Sequence, residues 1–244
     1  MSLDASFKSM KRAMFSPAMI SLLCLLVMSE AVAQQAKNIT DPVFGTDPLL
    51  INGKYYTFFL PSNTDGNQYF ISPQYETGSA TVRGINYTGL LINYDIYNQQ
   101  LILNYENTTG ARNLITLSDA WLEEFSFRGF DFELISIQDS VKKIFQVLGA
   151  GPVRILYYWK KDLVLDSFHG AKNHTFSRAE REMNIMTGTQ ILKYSNTKSF
   201  CSAFDPEKGT SIKEYLKRNH VNVKKATDAI MTEVINYCNF LYIK

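Results

Sequence analysis

A chain of 244 residues, 45% of them hydrophobic and 20% charged, can bury a core, which excludes gross disorder. Its formal net charge of +2 is close to balanced, and its length suits one or two domains.

The first element is a leader. Lys8, Lys11 and Arg12 precede the apolar run AMISLLCLLVM (Ala18 to Met28), and small residues follow at Ala31 and Ala33. That order predicts a secretory signal over residues 1–33, cleaved after Ala33, with Met10 a neater start than Met1. A buried core helix is the competing reading, but it explains neither the basic flank nor the A-x-A site. The run falls short of the roughly 20 apolar residues that span a bilayer. Cys24 has leucines on both sides rather than the small residues of a lipidation site, so it reads as part of the run. The expected location is therefore the periplasm, the outer membrane or the medium, with no transmembrane span once the signal is removed. Nucleic acid is a poor partner for such a chain.

The remaining cysteines are Cys201 and Cys238. In an oxidising compartment they either pair, which stabilises by about 4 kcal/mol for a loop of that length, or remain as two small buried thiols. Charge is uneven along the mature chain: residues 34–148 carry −5 and residues 149–244 carry +6. The basic half either faces a phosphate-rich surface or consists of solvated helix faces.

Residues 34–48 lack periodicity and read as a loose arm. In LLINGKYYTFFL, Asn52-Gly53 between apolar runs predicts a hairpin turn. Pro61 to Gln68 reads as a loop. From Ser79 to Ile135 the segments SATVR, YTGLLINYDIY, QLILNYE, RNLITLS, WLEEFSF and FDFELI alternate with the turn formers GIN, NQ, NTTG and RG, which predicts an antiparallel meander. KIFQVL and VRILYYW form a further hairpin about Gly149-Ala150-Gly151, and KDLVLDS follows. A polar loop runs from His169 to His174, and REMNIM and TQILKY give a last pair of strands.

Three helical segments end the chain. SNTKSFCSAF predicts a short helix capped by Ser or Thr. TSIKEYLKRN predicts one beginning at Thr210 or Ser211, with Glu214 in its first turn. In KKATDAIMTEVINYCNFL, Ala226, Ile230, Val234, Tyr237 and Leu241 make an apolar stripe. The fold class is α+β, mainly antiparallel sheet with two or three C-terminal helices. The β-rich region 34–142 and the hairpins-plus-helices region 143–244 form either one domain or two meeting near Ser136 to Lys143.

Chemistry is sparse. His169 and His174 are five apart across a loop with no acidic or thiol partner at ligand spacing, so no metal is predicted. His220 follows a helix end, where a cation suits the dipole. No G-x-S-x-G elbow, H-E-x-x-H or P-loop occurs. GAGP (Gly149 to Pro152) lacks the lysine of a phosphate cradle and reads as a turn, and NTDGN lacks the closing glutamate of a calcium loop. Glu123, Glu124, Asp131 and Glu133 alternate with phenylalanines, as solvent-face residues of a sheet do. The sequons at Asn38, Asn86, Asn107 and Asn173 matter only in a eukaryotic secretory cell. No catalytic residue and no cofactor is predicted. The expected function is non-catalytic binding or scaffolding with an envelope protein or glycan as partner; a lectin or glycan hydrolase is the alternative.

One stretch has the palette of a sugar-binding surface: NYTGLLINYDIYNQQLILNYE. Period two puts Leu90, Ile92, Tyr94 and Ile96 on one face, with Leu91, Asn93, Asp95 and Tyr97 on the other. Asp95 then reads as a strand-end group. Asn93, Tyr97 and Asn104 are left as a ligand surface if that face is open to solvent.

These strands, GSATVRGINYTGLLINYDIYNQQLILNY, together with the leader ending AVAQQ, KIFQVLGAGPVRILYYWKKDL and the tail KSFCSAFDPEKGTSIKEYLKRNHVNVKKATDAIMTEVINYCNFL, resemble a group of uncharacterised exported proteins of Bacteroidota-type bacteria. In that group a β-rich LxYDxYxxxLxL region precedes a YLKxN…K helical tail. The resemblance implies a bacterial envelope location and ordinary core positions for Cys201 and Cys238. It implies no active site.

Overall fold

The computed structural model describes Leu50 and residues 53–106, 110–137, 141–166 and 173–243. Ala31 and Ala33 of the leader, the arm at 34–48, Asn52 and His169 lie outside the described residues.

Two short strands come first, β1 (Lys54–Tyr55) and β2 (Thr64–Asp65). A meander follows through β3 (Glu76–Val82), β4 (Ile85–Asp95), β5 (Gln100–Glu106) and β6 (Arg112–Thr116). It continues as β7 (Leu122–Phe127), β8 (Phe130–Ile137), β9 (Val141–Leu148) and β10 (Val153–Lys160). β11 (Leu163–Asp166) and β12 (Asn173–Phe176) step aside, then β13 (Glu180–Thr187) and β14 (Gln190–Lys193) return. The helices α1 (Thr197–Cys201), α2 (Pro206–Arg218) and α3 (Asp228–Ile243) end the chain.

Eleven strands form one sheet in the order β1-β6-β5-β4-β3-β7-β8-β9-β10-β13-β14, while β11, β12 and β2 form a second. All pairings in the large sheet are antiparallel, and the class is α+β with three C-terminal helices, as the sequence predicts. β8 pairs with β9 from Phe132↔Gln146 to Ile137↔Val141.

Local chemistry sets the turns. Arg83-Gly84 and Arg128-Gly129 join strands whose last pairs are Val82↔Ile85 and Phe127↔Phe130. Both residues of each turn have positive φ (52° and 74°; 56° and 77°), the geometry that matches strand twist, and glycine takes one of the two positions without strain. The expected GIN turn is therefore one residue early, with Ile85 and Asn86 already in β4. The expected Asn52-Gly53 turn falls at Asn52 outside the described residues; Leu50 is helical and buried, and β1 pairs with β6, covering what would be a bare sheet edge.

The core explains the shape. Neighbouring strands lie about 4.8 Å apart, so β4 and β10 would be roughly 24 Å apart on a flat sheet. Phe70, between β2 and β3, touches both. Its ring lies 6.4 Å from Tyr94 on β4, 5.5 Å from Phe132 on β8 and 4.9 Å from Trp159 on β10. One ring reaches all three only because the sheet curls around it. Phe70 is held there by backbone pairing: its N–H donates to the Tyr94 oxygen (2.9 Å), and the Ile96 N–H donates to the Gln68 oxygen (3.1 Å). Polar bonds close the curl. The Gln99 amide donates to the Trp159 oxygen (2.8 Å), and the Lys161 ammonium donates to the oxygens of Asn67 (2.8 Å) and Tyr69 (2.7 Å).

The same inner face continues beneath the helices through Phe132↔Gln146 and Gln146↔Tyr157. There Ile155 and Tyr157 join Phe200, Ile212, Met231 and Ile235 in a second core cluster. Buried Gln146 marks the seam. It donates to Asp228 (2.6 Å) and accepts from the Trp159 indole (2.8 Å), and Asp228 also accepts from Arg181 (2.9 Å), which lies over the Tyr157 ring. This network anchors the start of α3. Asn239 anchors its end, accepting from the Val153 N–H and donating to the oxygens of Ala150 and Val153, each at 2.9 Å.

Helix boundaries moved from expectation. α1 is capped by Asn196, whose side chain accepts from the Ser199 N–H, rather than by Ser or Thr. α2 begins at Pro206 behind an Asp205 cap, not at Thr210 or Ser211, because proline suits the first helical position and Asp205 accepts from the Lys208 N–H (2.9 Å). On α3 the buried set is Met231, Val234, Ile235, Cys238 and Asn239, so Ile230 of the expected stripe is exposed. Met231, Val234, Ile235 and Cys238 keep helical spacing on a face shifted from the expected stripe, and Asp228 and Asn239 hold the helix at its two ends. His174 lies in β12 rather than in a loop.

Cys201 and Cys238 are free thiols. Burial pushes the Cys238 thiol up to about 12, and raises Cys201 too. An unfolded thiol ionises near 8.5, so the contribution of Cys238 to stability is complete below about pH 8.5 and is lost as pH climbs toward its folded value. Alkylation by iodoacetamide at pH 8.5 should accordingly be much slower at Cys238 in native protein than in urea; equal rates would contradict this burial. Truncating a buried aromatic costs about 3–5 kcal/mol, so Phe70→Ala should lower the urea midpoint sharply. A wild-type midpoint would remove Phe70 from its role at the centre of the curl.

Candidate functional site

The predicted surface residues do not converge. Asn93 is 1% exposed; its amide donates to the Ser72 oxygen (2.9 Å) and its own oxygen accepts from the Tyr94 N–H. Tyr97 is 36% exposed, and its ring packs on Phe58 (5.7 Å) and Phe176 (5.4 Å). Asn104 is half-buried on β5. The alternation that put Asn93 on an open face stops at Ile92: Ile92, Asn93, Tyr94 and Asp95 are all buried. The inner face there meets the aromatic core, and residues 56–72 cover the other.

Asp95 is a structural group. Its carboxylate accepts from the Tyr97 and Asn98 N–H groups (3.0 and 2.8 Å), the Asn98 amide (2.7 Å) and the Tyr56 hydroxyl (2.7 Å). Gln68 in turn donates to Tyr56 (2.9 Å). Burial first, and Asp95 beside it, hold the Tyr56 phenol protonated by raising its pKa. Burial lowers the pKa of Lys161, with Asp95 opposing.

Among the described residues no three His, Cys, Asp or Glu side chains gather as a metal site. His220 follows the α2 cap with φ of 53°, at the helix end where its charge suits the dipole.

Two of the cavities among the described residues lie against the large sheet. The first, of about 440 Å³, lies on the outer sheet face over β3, β4, β7 and β8. Its polar groups are tied across strands. Ser79 bonds Ser126 (2.9 Å), Thr81 donates to Glu124 (3.0 Å), and Asn86 donates to Thr81 (3.1 Å). Glu133 receives both bonds of the Arg154 guanidinium nitrogen (2.8 and 2.7 Å). Glu124 and Glu133 are direct cross-strand partners, a like-charge pair that Arg154 offsets. Asp131 lines the same cavity and makes no side-chain bond among the described residues.

The second cavity, about 650 Å³, opens at the β1 edge of the sheet. Lys54, Tyr55 and Thr57 form one wall, Gln100 another, and Thr116 to Ala120 the floor. β1 can form that wall because residue 53 is glycine: a Cβ there would overlap the Thr116 carbonyl oxygen and the Ile115 side chain. Tyr55 is 70% exposed. This site was not legible in sequence, because its parts come from three distant stretches that meet only through the β1–β6 pairing. The exposed Tyr55 beside a glycine was the one available signal.

No family model matches the chain, and no curated protein or solved structure is similar to it. Among the described residues no helix is long and apolar enough to cross a membrane.

Gly53→Ala should lift β1 from β6. Hydrogen exchange at the Tyr56 amide, which donates to the Leu114 oxygen (2.9 Å), should then accelerate with little loss of global stability. Unchanged protection would mean that the edge adapts to a side chain.

Proposed function

We propose that this is an exported cell-envelope protein with a non-catalytic binding or scaffolding role, exerted through the outer face of its sheet. The observation that carries the reading is the 440 Å³ outer cavity, whose hydroxyl, amide and carboxylate groups are pre-ordered by cross-strand bonds. Such a surface presents hydrogen-bonding groups without the entropy cost of ordering them on contact. Its charge comes from Glu124, Asp131 and Glu133, which favours a partner with basic or hydroxyl-rich groups. Glu124 and Glu133 are committed to Thr81 and Arg154, an arrangement that suits recognition better than proton transfer. The leader and the resemblance to exported Bacteroidota-type proteins support an envelope location.

The test has two arms. Amino-terminal sequencing of the exported product should begin at Gln34; an uncleaved cytoplasmic product would sink the location. Pull-down from envelope extracts should recover a partner, and Asp131→Arg should lose it while keeping the melting temperature. Turnover of a labelled glycan would instead establish the hydrolase alternative.

A further inference from the structure

Arg154, Lys160, Arg181 and Lys193 on the large sheet each meet a carboxylate. The turn from α2 into α3 is charged differently. It carries Lys217, Arg218, Lys224 and Lys225, with His220 between them and no acidic residue from 217 to 225. All five side chains are exposed, and none makes an ion pair or a side-chain hydrogen bond among the described residues. The backbone beneath them is nonetheless ordered. The Val221 N–H donates to the Leu216 oxygen (2.9 Å) and the Ala226 N–H to the Asn222 oxygen (2.8 Å), while Val223 and Ala226 are buried.

Beside this turn lies a cavity of about 420 Å³. α2 reaches it with Tyr215 and Asn219, one helical turn apart, and α3 with Ile230, Glu233 and Val234, which share a helix face by their three- and four-residue spacing. The stacked rings of Tyr215 and Tyr237 (4.1 Å) join those two faces, so both helices border a common space. His220 and Lys225 line the same space, which sets polar groups of the basic turn against aliphatic ones. Ile230 is 41% exposed.

We propose that the α2–α3 turn is a docking surface for the anionic phospholipid headgroups of a bilayer. The proposal goes beyond the outer-face reading and uses none of that cavity's residues. Unpaired cations on an ordered turn are drawn to a negatively charged leaflet, each adding about fivefold to partitioning. Exposed Ile230 adds the apolar contact that a bilayer interface rewards and a soluble polyanion does not. Glu233 is the one carboxylate lining the cavity. A lone phosphate held inside would meet that charge, whereas a lipid surface also engages the cations that flank it.

The experiment is hydrogen exchange of the full chain, alone and with vesicles of phosphatidylcholine or of an equal mixture of phosphatidylcholine and phosphatidylglycerol. Exchange across residues 217–230 should slow on the mixed vesicles at low salt and not on phosphatidylcholine. The signal is read at the turn, so lipid contact of the basic leader does not produce it. Arg218→Gln with Lys225→Gln should raise the lipid concentration for half-protection about 25-fold, and Glu233→Gln should lower it. All three side chains are exposed, so the variants should keep the wild-type melting temperature, and lost protection is then not lost fold. No protection on the mixed vesicles, equal protection on neutral ones, or protection that survives the double substitution would overturn the proposal. Protection by sodium polyphosphate but not by vesicles would assign the turn to a soluble polyanion and overturn it too. Asp131→Arg, which reads the outer cavity, should leave vesicle protection unchanged, so either reading can fail alone.

Discussion

The fold rests on one geometric demand: strands β4 and β10 must both reach the ring of Phe70. A sheet of eleven antiparallel strands has no intrinsic reason to curl so tightly. It does so because a large apolar side chain, delivered by a segment paired to the end of β4, needs walls on every side. Tyr94, Phe127, Phe130, Phe132 and Trp159 supply those walls in tilted and edge-on contacts. Once the curl exists, the three hydrogen bonds from Gln99 and Lys161 can span its seam. Apolar burial sets the curvature, and polar bonds set where it closes.

That division explains what could be read in advance. β5 was legible to the residue, because QLILNYE alternates and is bounded by turn formers on a locally paired hairpin. The Arg128-Gly129 turn was legible for the same local reason. What failed was wherever a strand is covered on both faces or a helix is rotated by polar anchors. Asn93 and Asp95 look like outward residues by period two, and they are buried because the 56–72 segment lies over them. Ile230 looks like a core residue by helical spacing, and it is exposed because Asp228 and Asn239 fix the helix from its two ends. Both of these failures involve contacts between residues far apart in sequence, which no local pattern records, whereas the starts of α1 and α2 were missed on local cap signals at Asn196 and Asp205-Pro206.

The polar groups sort by the same logic. Asn93, Asp95, Gln146 and Asn239 in the interior are structural, and they hold together parts that apolar packing alone would leave free to slide. Those on the outer face are tied in short cross-strand pairs, which keeps carboxylates ordered while still solvated. Glu124, Asp131 and Glu133 thus sit on a surface whose geometry is already set.

The anchoring of α3 has a consequence in time. Gln146 waits for Asp228, 82 residues later, and Ala150 waits for Asn239, 89 residues later. Contacts of such long separation form slowly, because the loop between them must first be closed. A chain emerging amino end first can assemble the meander and the aromatic curl on its own. The flank beneath the helices stays open until α3 is made, so this sixteen-residue helix acts as the latch over it.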